Sequence, residues 1–232
     1  RQPLAQESHL QSALHQTLGG IVGATPGPAG AANDFPGRVG GCHVPEHALV
    51  VGMDLNDLEL LLVEASRRSR HTEFVIVGSL SVLGVLGKHP VPARMLMSID
   101  VDCFTPADPD RIFDLTASLG PGSEFERIHG YYLDPVSPAL PSLPENWKHR
   151  LIRTSFPAGV TAFFLDPNDA AVSKYARGEP RDREWIRAGL KAGLLSAPVI
   201  ERRFEDTAFL DHAERDRARR LLAEDVAWLG RR

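Results

Sequence analysis

Two aspartates one residue apart, Asp100 and Asp102, stand in an apolar segment that ends at Phe104, and the apolar segment before it, Glu73-Phe-Val-Ile-Val77, closes on Gly78-Ser79. Side chains of an extended strand alternate with a period of two, so Asp100 and Asp102 share a face. Two carboxylates so placed repel each other unless a cation lies between them. A Gly-Ser pair where a strand passes into a helix offers amide donors and a hydroxyl suited to phosphate. A phosphate cradle beside metal-binding carboxylates is the outline of a nucleotidyl-transfer site. Tyr131-Tyr-Leu-Asp134 supplies a third carboxylate, on one face with Tyr132 and Val136 of the next predicted strand. Three acidic ligands around Mg²⁺, with a cation on the phosphates, are a minimal set for phosphoryl transfer. Lys174, alone beside apolar Ala170, Ala171 and Val172, can be that cation.

Each of these residues also has a plainer reading. Most Gly-Ser pairs at strand ends are only turns. The acidic pair is equally the exposed polar face of an edge strand, with Val101 packed inward. Asp134 taken alone starts the turn at Pro135. A helical lysine is usually solvated surface, and Asp182, near a helix start, can simply cap it. Spacing alone decides none of these.

The elements that must position the residues follow from periodicity. Asp54 is a good N-cap, and Leu55, Leu58, Leu61, Leu62 and Ala65 recur at helical spacing up to Arg67, Arg68 and Arg70, which suit a helix C-terminus. Next are expected a strand over 73–78, a short helix over 79–86, a loop with Gly87, Pro90 and Pro92, and a strand over 95–103. Asp108-Pro109 is expected to open a helix of about ten residues ending at Gly120. Residues 128–136 read as a strand, and two further short strands fall near 150–155 and 160–165. Asp166-Pro167 begins the helix that carries Lys174, which Gly178 and Pro180 stop. Two or three helices complete the chain, the last over 207–229 with Arg and Glu at helical spacing.

Composition sets the outer limits. The 232 residues are 43% hydrophobic and 24% charged, enough for a sizeable core and one domain or one and a half. A formal net charge of −4 gives no bulk cationic field, so any nucleic acid must be held locally. The two cysteines, Cys42 and Cys103, have no paired spacing, which argues against a disulfide framework or a zinc site and for a cytoplasmic address. Cys103 should point into the core as a buried thiol. The nine histidines lack metal-ligand spacing, and His43, His47 and His71 read as surface residues. No apolar run approaches the roughly 20 residues needed to span a bilayer, so no membrane is expected. Residues 19–41 are dense in Gly, Pro and Ala, and the first Met is Met53. Residues 1–52 are therefore expected to be a flexible extension, or a stretch foreign to the native protein. An α/β core over 53–165 and a C-terminal helical region over 166–232 follow.

The order Gly78-Ser79, then Asp100-Val-Asp102, then Leu-x-Pro-x-Asp-x-x-x-x-Lys over 165–174, then Arg181-Asp182-Arg-Glu, resembles the nucleotidyltransferase-like proteins related to the AbiE-type toxin (AbiEii-like), within the DNA polymerase beta-type superfamily. The likeness covers roughly residues 55–195. The late lysine and basic-Asp turn are its more distinctive half, since Gly-Ser and Asp-x-Asp recur across the superfamily. Leu143-Pro-Glu-Asn-Trp-Lys-His-Arg150 is similar to a Leu-Pro-x-x-Trp-x-x-Arg run in one branch. The resemblance implies an α/β (α+β) polymerase beta-type core, a mixed sheet backed by helices, with an NTP and a divalent metal, Mg²⁺ or Mn²⁺, between sheet and C-terminal helices. It implies that Gly78 and Ser79 face the NTP phosphates, that Asp100 and Asp102 ligate metal, that Lys174 touches the triphosphate and that Asp182 completes the site. Asp134 as the third metal ligand comes from the residues alone. One departure is the gap between Gly78-Ser79 and Asp100, longer than in the toxins and holding Gly87, Pro90 and Pro92. It either changes how substrate enters or accompanies a lost activity.

The leading expectation is a metal-dependent nucleotidyltransferase acting on RNA or protein, as the toxin of a toxin-antitoxin pair with a cognate antitoxin as partner. The alternative is a non-catalytic nucleotide- or partner-binding module on the same fold. A third reading is an interaction scaffold, in which Asp100 and Asp102 are replaceable for under about 0.5 kcal/mol. Arg177, Arg181, Arg183, Arg187 and Lys191 cluster on the late helices and suit a tRNA-like backbone, but interleaved Glu179, Asp182 and Glu184 suit a salt-bridged solvated surface as well.

Overall fold

Asp54 starts the first helix, α1 (Leu55–Ser69), through a reciprocal cap: its carboxylate accepts from the amides of Asn56 and Asp57 at 2.7 and 2.9 Å, and Asp57 accepts from the Asp54 amide at 3.1 Å. This computed structural model describes residues 52–231, so all but the last residue of the expected extension over 1–52 lies outside the described residues, as do Cys42, His43 and His47. Leu58, Leu61, Leu62 and Ala65 form the buried stripe of α1.

Five strands form one mixed sheet in the order β3-β2-β1-β5-β4: β1 (Glu73–Ile76), β2 (Asp100–Phe104), β3 (Tyr132–Pro135), β4 (Ile152–Ser155) and β5 (Thr161–Phe164). The fold is the mixed α/β (α+β) class that the sequence implies. Central β1 runs antiparallel to β2 and parallel to β5, while β2 and β3 are parallel and β4 and β5 antiparallel. Phe74, Val75 and Ile76 are all buried, which is why this strand reads as an unbroken apolar run rather than an alternating one.

Several elements differ from expectation. The strand expected from residue 95 begins at Asp100, because the chain after Pro92 makes a 3-10 turn, Ala93–Leu96, that buries Met95 completely. The strand expected over 128–136 is shorter, Tyr132–Pro135: Ser123 caps α3 (Glu124–His129) by accepting from the Glu126 amide, Ile128 and His129 belong to its last turn, Gly130 ends it at φ 79°, and only then does β3 begin. The helix expected after Pro109 is a 3-10 segment, Pro109–Leu115, followed by the one-turn α2 (Thr116–Leu119). Residues 79–86 are also 3-10, over Ser79–Val85.

The C-terminal helices are α4 (Pro167–Arg177), α5 (Pro180–Lys191), α6 (Ala197–Glu205) and α7 (His212–Gly230). Asp166 caps α4 and Gly178 ends it at φ 73°. The last helix starts at His212 rather than 207, because Asp211 supplies the cap and Thr207 is instead bridged to Pro144. Helix α4 packs against α5, α6, α7 and the Ser79–Val85 segment, so it is held between the other helices and the β1 turn. Its first turn is pinned by buried Asp169, which accepts from Arg150 Nε at 2.8 Å and pairs with Arg203 at 3.1 Å. Arg150 closes the Leu-Pro-x-x-Trp-x-x-Arg run, so that motif anchors the helix carrying Lys174.

Candidate active site

Along β2, Val101 and Cys103 are fully buried, while Asp100 and Asp102 sit half-buried on the opposite face. The parallel register with β3 sets Asp134 opposite Asp102 and Tyr132 opposite Asp100. Residues paired across neighbouring strands project from the same face. One oxygen from each of Asp100, Asp102 and Asp134 therefore falls within 4.8 Å of the others, and the Ser98 hydroxyl donates to Asp100.

Crowding shows in the protonation of Asp102 and Asp134. Burial first, then Asp100 and Asp134, pushes Asp102 up to about 7, against the pull of Lys174 and Arg177. Asp134 is raised by burial and by Asp100, with Arg181 opposing. A set of carboxylate oxygens whose mutual repulsion the protein only partly neutralises suits a hard divalent cation such as Mg²⁺ or Mn²⁺. Cys103 faces the core, where burial drives its thiol far above the ordinary range, which makes it inert.

Gly78 stands where β1 ends, and the Val77 amide before it donates to the Asp102 carbonyl at 2.9 Å. Its φ of 63° and ψ of −150° suit only glycine, and a Cβ there would lie 1.8 Å from Asp102 Oδ2. Ser79 opens the 3-10 segment, and its Oγ accepts from Lys174 Nζ at 2.9 Å. The same ammonium donates to Asp182 Oδ1 at 3.0 Å and sits 4.9 Å from the centroid of the Trp185 ring. Trp185 Nε1 in turn donates to the carbonyls of Ser79 and Met95, each at 3.2 Å. Lys174 is only 3% exposed, so it is not the solvated lysine of the plainer reading. Burial lowers its pKa, and Asp182 opposes that.

Asp182 is 1% exposed and stands apart from the acidic triad, paired with two cations. Arg177 grips it with both arms, Nε at 2.7 Å and Nη2 at 2.6 Å. Burial, the largest single influence, would raise the Asp182 carboxyl, yet Arg177 and Lys174 together hold it below its usual value. The structure thus gathers Gly78, Asp100, Asp102 and Asp134 in one cluster, and joins Ser79, Lys174 and Asp182 in a second one adjoining it through the Gly78-Ser79 turn. Sequence reasoning missed Trp185 and the part played by Arg177. The signal for Arg177 was its position three residues after Lys174, on the same helical face. Arg183 and Arg187, grouped with it in the sequence, are instead committed to buried Asp225, each donating from Nε at 2.8 Å.

A mixed sheet whose adjacent parallel strands carry an acidic triad, next to a Gly-Ser turn and a buried lysine, defines a nucleotidyltransferase-like protein. Residues 53–229 match the model of the family described as "Nucleotidyltransferase of unknown function (DUF6036)", and the chain belongs to that family. Searches of the curated proteins and of the solved structures return no match. Among the described residues no helix is long and apolar enough to cross a membrane.

Proposed function

We propose that the protein is a metal-dependent nucleotidyltransferase that moves a nucleotide from an NTP to an RNA or protein acceptor in the cytoplasm, as the toxin of a toxin-antitoxin pair. The observation that carries this reading is the convergence of Asp100, Asp102 and Asp134 within 4.8 Å, beside a glycine that leaves room for nothing but backbone. Mg²⁺ or Mn²⁺ held by these three carboxylates would supply charge neutralisation on the phosphates. The chain's own residues bind and orient. The Ser79 hydroxyl and Lys174 ammonium take the triphosphate, and Asp182 fixes the direction of Lys174. Trp185 shields the ammonium from water, so its pull on phosphate is exerted in a low dielectric. Positioning and charge complementarity of this kind are most of what phosphoryl transfer asks of a protein.

The test is a transfer assay with each of the four labelled NTPs, Mg²⁺ or Mn²⁺, total RNA and cell extract, comparing wild type with Asp100→Ala/Asp102→Ala. Label moving to RNA or protein only with wild type supports the reading and names the acceptor class. Heat of NTP binding without label would overturn it in favour of a non-catalytic binding module, and neither heat nor label would leave a scaffold. Growth arrest on expression, absent for the double variant, tests the toxin role.

A further inference from the structure

The second cluster has a charge balance that singles out one residue. Lys174 and Asp182 together carry no net charge, and both are almost wholly buried, at 3% and 1% exposure. Lys174 Nζ is already engaged by Ser79 Oγ at 2.9 Å and Asp182 Oδ1 at 3.0 Å. If the lysine acted alone, the site would offer a neutral ion pair to a highly anionic triphosphate. Arg177 changes that sum, because it joins the same carboxylate and leaves the trio with one net positive charge. Its side chain is 38% exposed, the only one of the three with substantial access to solvent. Its Nε and Nη2 hold Asp182 at 2.7 and 2.6 Å, which leaves Nη1 for a ligand.

We infer that Arg177 is a second phosphate-binding cation of the triphosphate site, and that Asp182 is a positioning residue which holds both Lys174 and Arg177 at the Gly78-Ser79 turn; this rests on the nucleotidyltransferase reading above. A guanidinium held by a bidentate carboxylate is fixed in direction, so little freedom is lost when it meets an oxyanion. The other arginines of the cluster are arranged otherwise. Arg183 and Arg187 both donate to fully buried Asp225, Arg183 also pairs with Glu224, and Arg187 lies 4.8 Å over the Trp228 ring. Arg181 donates to Glu179. Among these, Arg177 is the one tied through a shared carboxylate to Lys174 and Ser79.

The experiment is isothermal titration of Mg²⁺-NTP, for each of the four nucleotides, and of the matching nucleoside monophosphate, into wild type, Arg177→Gln, Arg177→Lys and the exposed-surface control Lys191→Gln. Thermal melts accompany each variant. Loss of one charge-assisted contact to phosphate should weaken NTP binding at least about tenfold in Arg177→Gln. The monophosphate should weaken less than the triphosphate, Arg177→Lys should recover part of the loss, and Lys191→Gln should match wild type. A merely structural arginine would weaken both nucleotides equally and track the fall in melting temperature. NTP binding by Arg177→Gln as tight as wild type, or an equal loss for both nucleotides, overturns the inference and leaves the nucleotidyltransferase reading standing. Absence of NTP binding by wild type overturns both.

Discussion

The space that a side chain at residue 78 would need is filled by the carboxylate of Asp102: a Cβ on Gly78 would lie 1.8 Å from Oδ2 and 2.7 Å from Cγ. The β1 turn and the central aspartate are thus built against each other. Gly78→Ala suffers twice, from that clash and from a backbone at φ 63° and ψ −150° that an L residue adopts at a cost of about 1–3 kcal/mol. We expect it to melt well below wild type and to lose transfer activity. In Gly78→Ala/Asp102→Ala the clash shrinks and the backbone strain stays, so the two changes should be non-additive, with the double variant more stable than the sum of the singles predicts. Strict additivity in the melts would mean that the turn relaxes away from Asp102.

Proton and metal compete for the triad. With Asp102 pushed up to about 7, chiefly by burial, part of the population carries a proton at neutral pH, and that proton must leave before a cation is bound. Mg²⁺ or Mn²⁺ affinity should therefore rise as pH goes from 5.5 to about 7 and level off above it. A carboxyl whose folded pKa lies above its unfolded value stabilises the metal-free fold at low pH, and that contribution is lost as pH rises through about 7. Metal titrations across this range check the first statement, and melts with and without Mg²⁺ check the second. Asp102→Asn should flatten both profiles.

Much of the site could be read from the chain, and the reasons are local. Asp100 and Asp102 share a face because strands alternate, and Asp54, Asp166 and Gly178 mark helix ends by their own chemistry. What failed was also local. Residues 128–136 are apolar enough for a strand, but Ile128 and His129 close the helix that Ser123 caps and Gly130 ends at positive φ, so the strand is confined to Tyr132–Pro135. The 3-10 segments Ser79–Val85 and Pro109–Leu115 have no periodicity that separates them from short α-helices. The proximity of Asp134 to Asp102 depends on a parallel register between strands joined through two short helices, which spacing alone does not report. Burial of Lys174 beneath Trp185 is likewise a tertiary fact, since the two lie on different helices.

Removing either member of the Lys174–Asp182 pair should have unequal effects. Asp182→Ala leaves the buried Lys174 ammonium beside the Arg177 guanidinium with no counter-charge, and orphaned buried charges of this kind cost about 3–5 kcal/mol. Lys174→Met keeps the Arg177–Asp182 fork intact and fills the space under Trp185 with an unbranched apolar chain, so its cost should be roughly half as large. Both should abolish transfer. Chemical denaturation of the two variants checks the ranking, and equal losses would mean that Arg177 does not neutralise Asp182.

Asp225 offers a contrasting variant, because it stabilises the helices without touching the triad. It is fully buried in α7, where Oδ1 accepts from Arg183 and Arg187 of α5 and Oδ2 from the Tyr175 hydroxyl of α4 at 3.2 Å. One carboxylate thus fastens α7 to the two helices that carry Lys174 and Asp182. In Asp225→Ala the arginines, each about 30% exposed, can turn to water, but the Tyr175 hydroxyl is left buried without its acceptor. The cost should be about 1–3 kcal/mol. Its location should show in hydrogen exchange, with α7 amides exchanging faster while β1 and β2 stay protected. Metal affinity of the triad should be unchanged within about twofold, because β2 and β3 hold it through their own register. A large fall in metal affinity in this variant would mean that the helices and the acidic triad are coupled, with the triad set by more than the sheet.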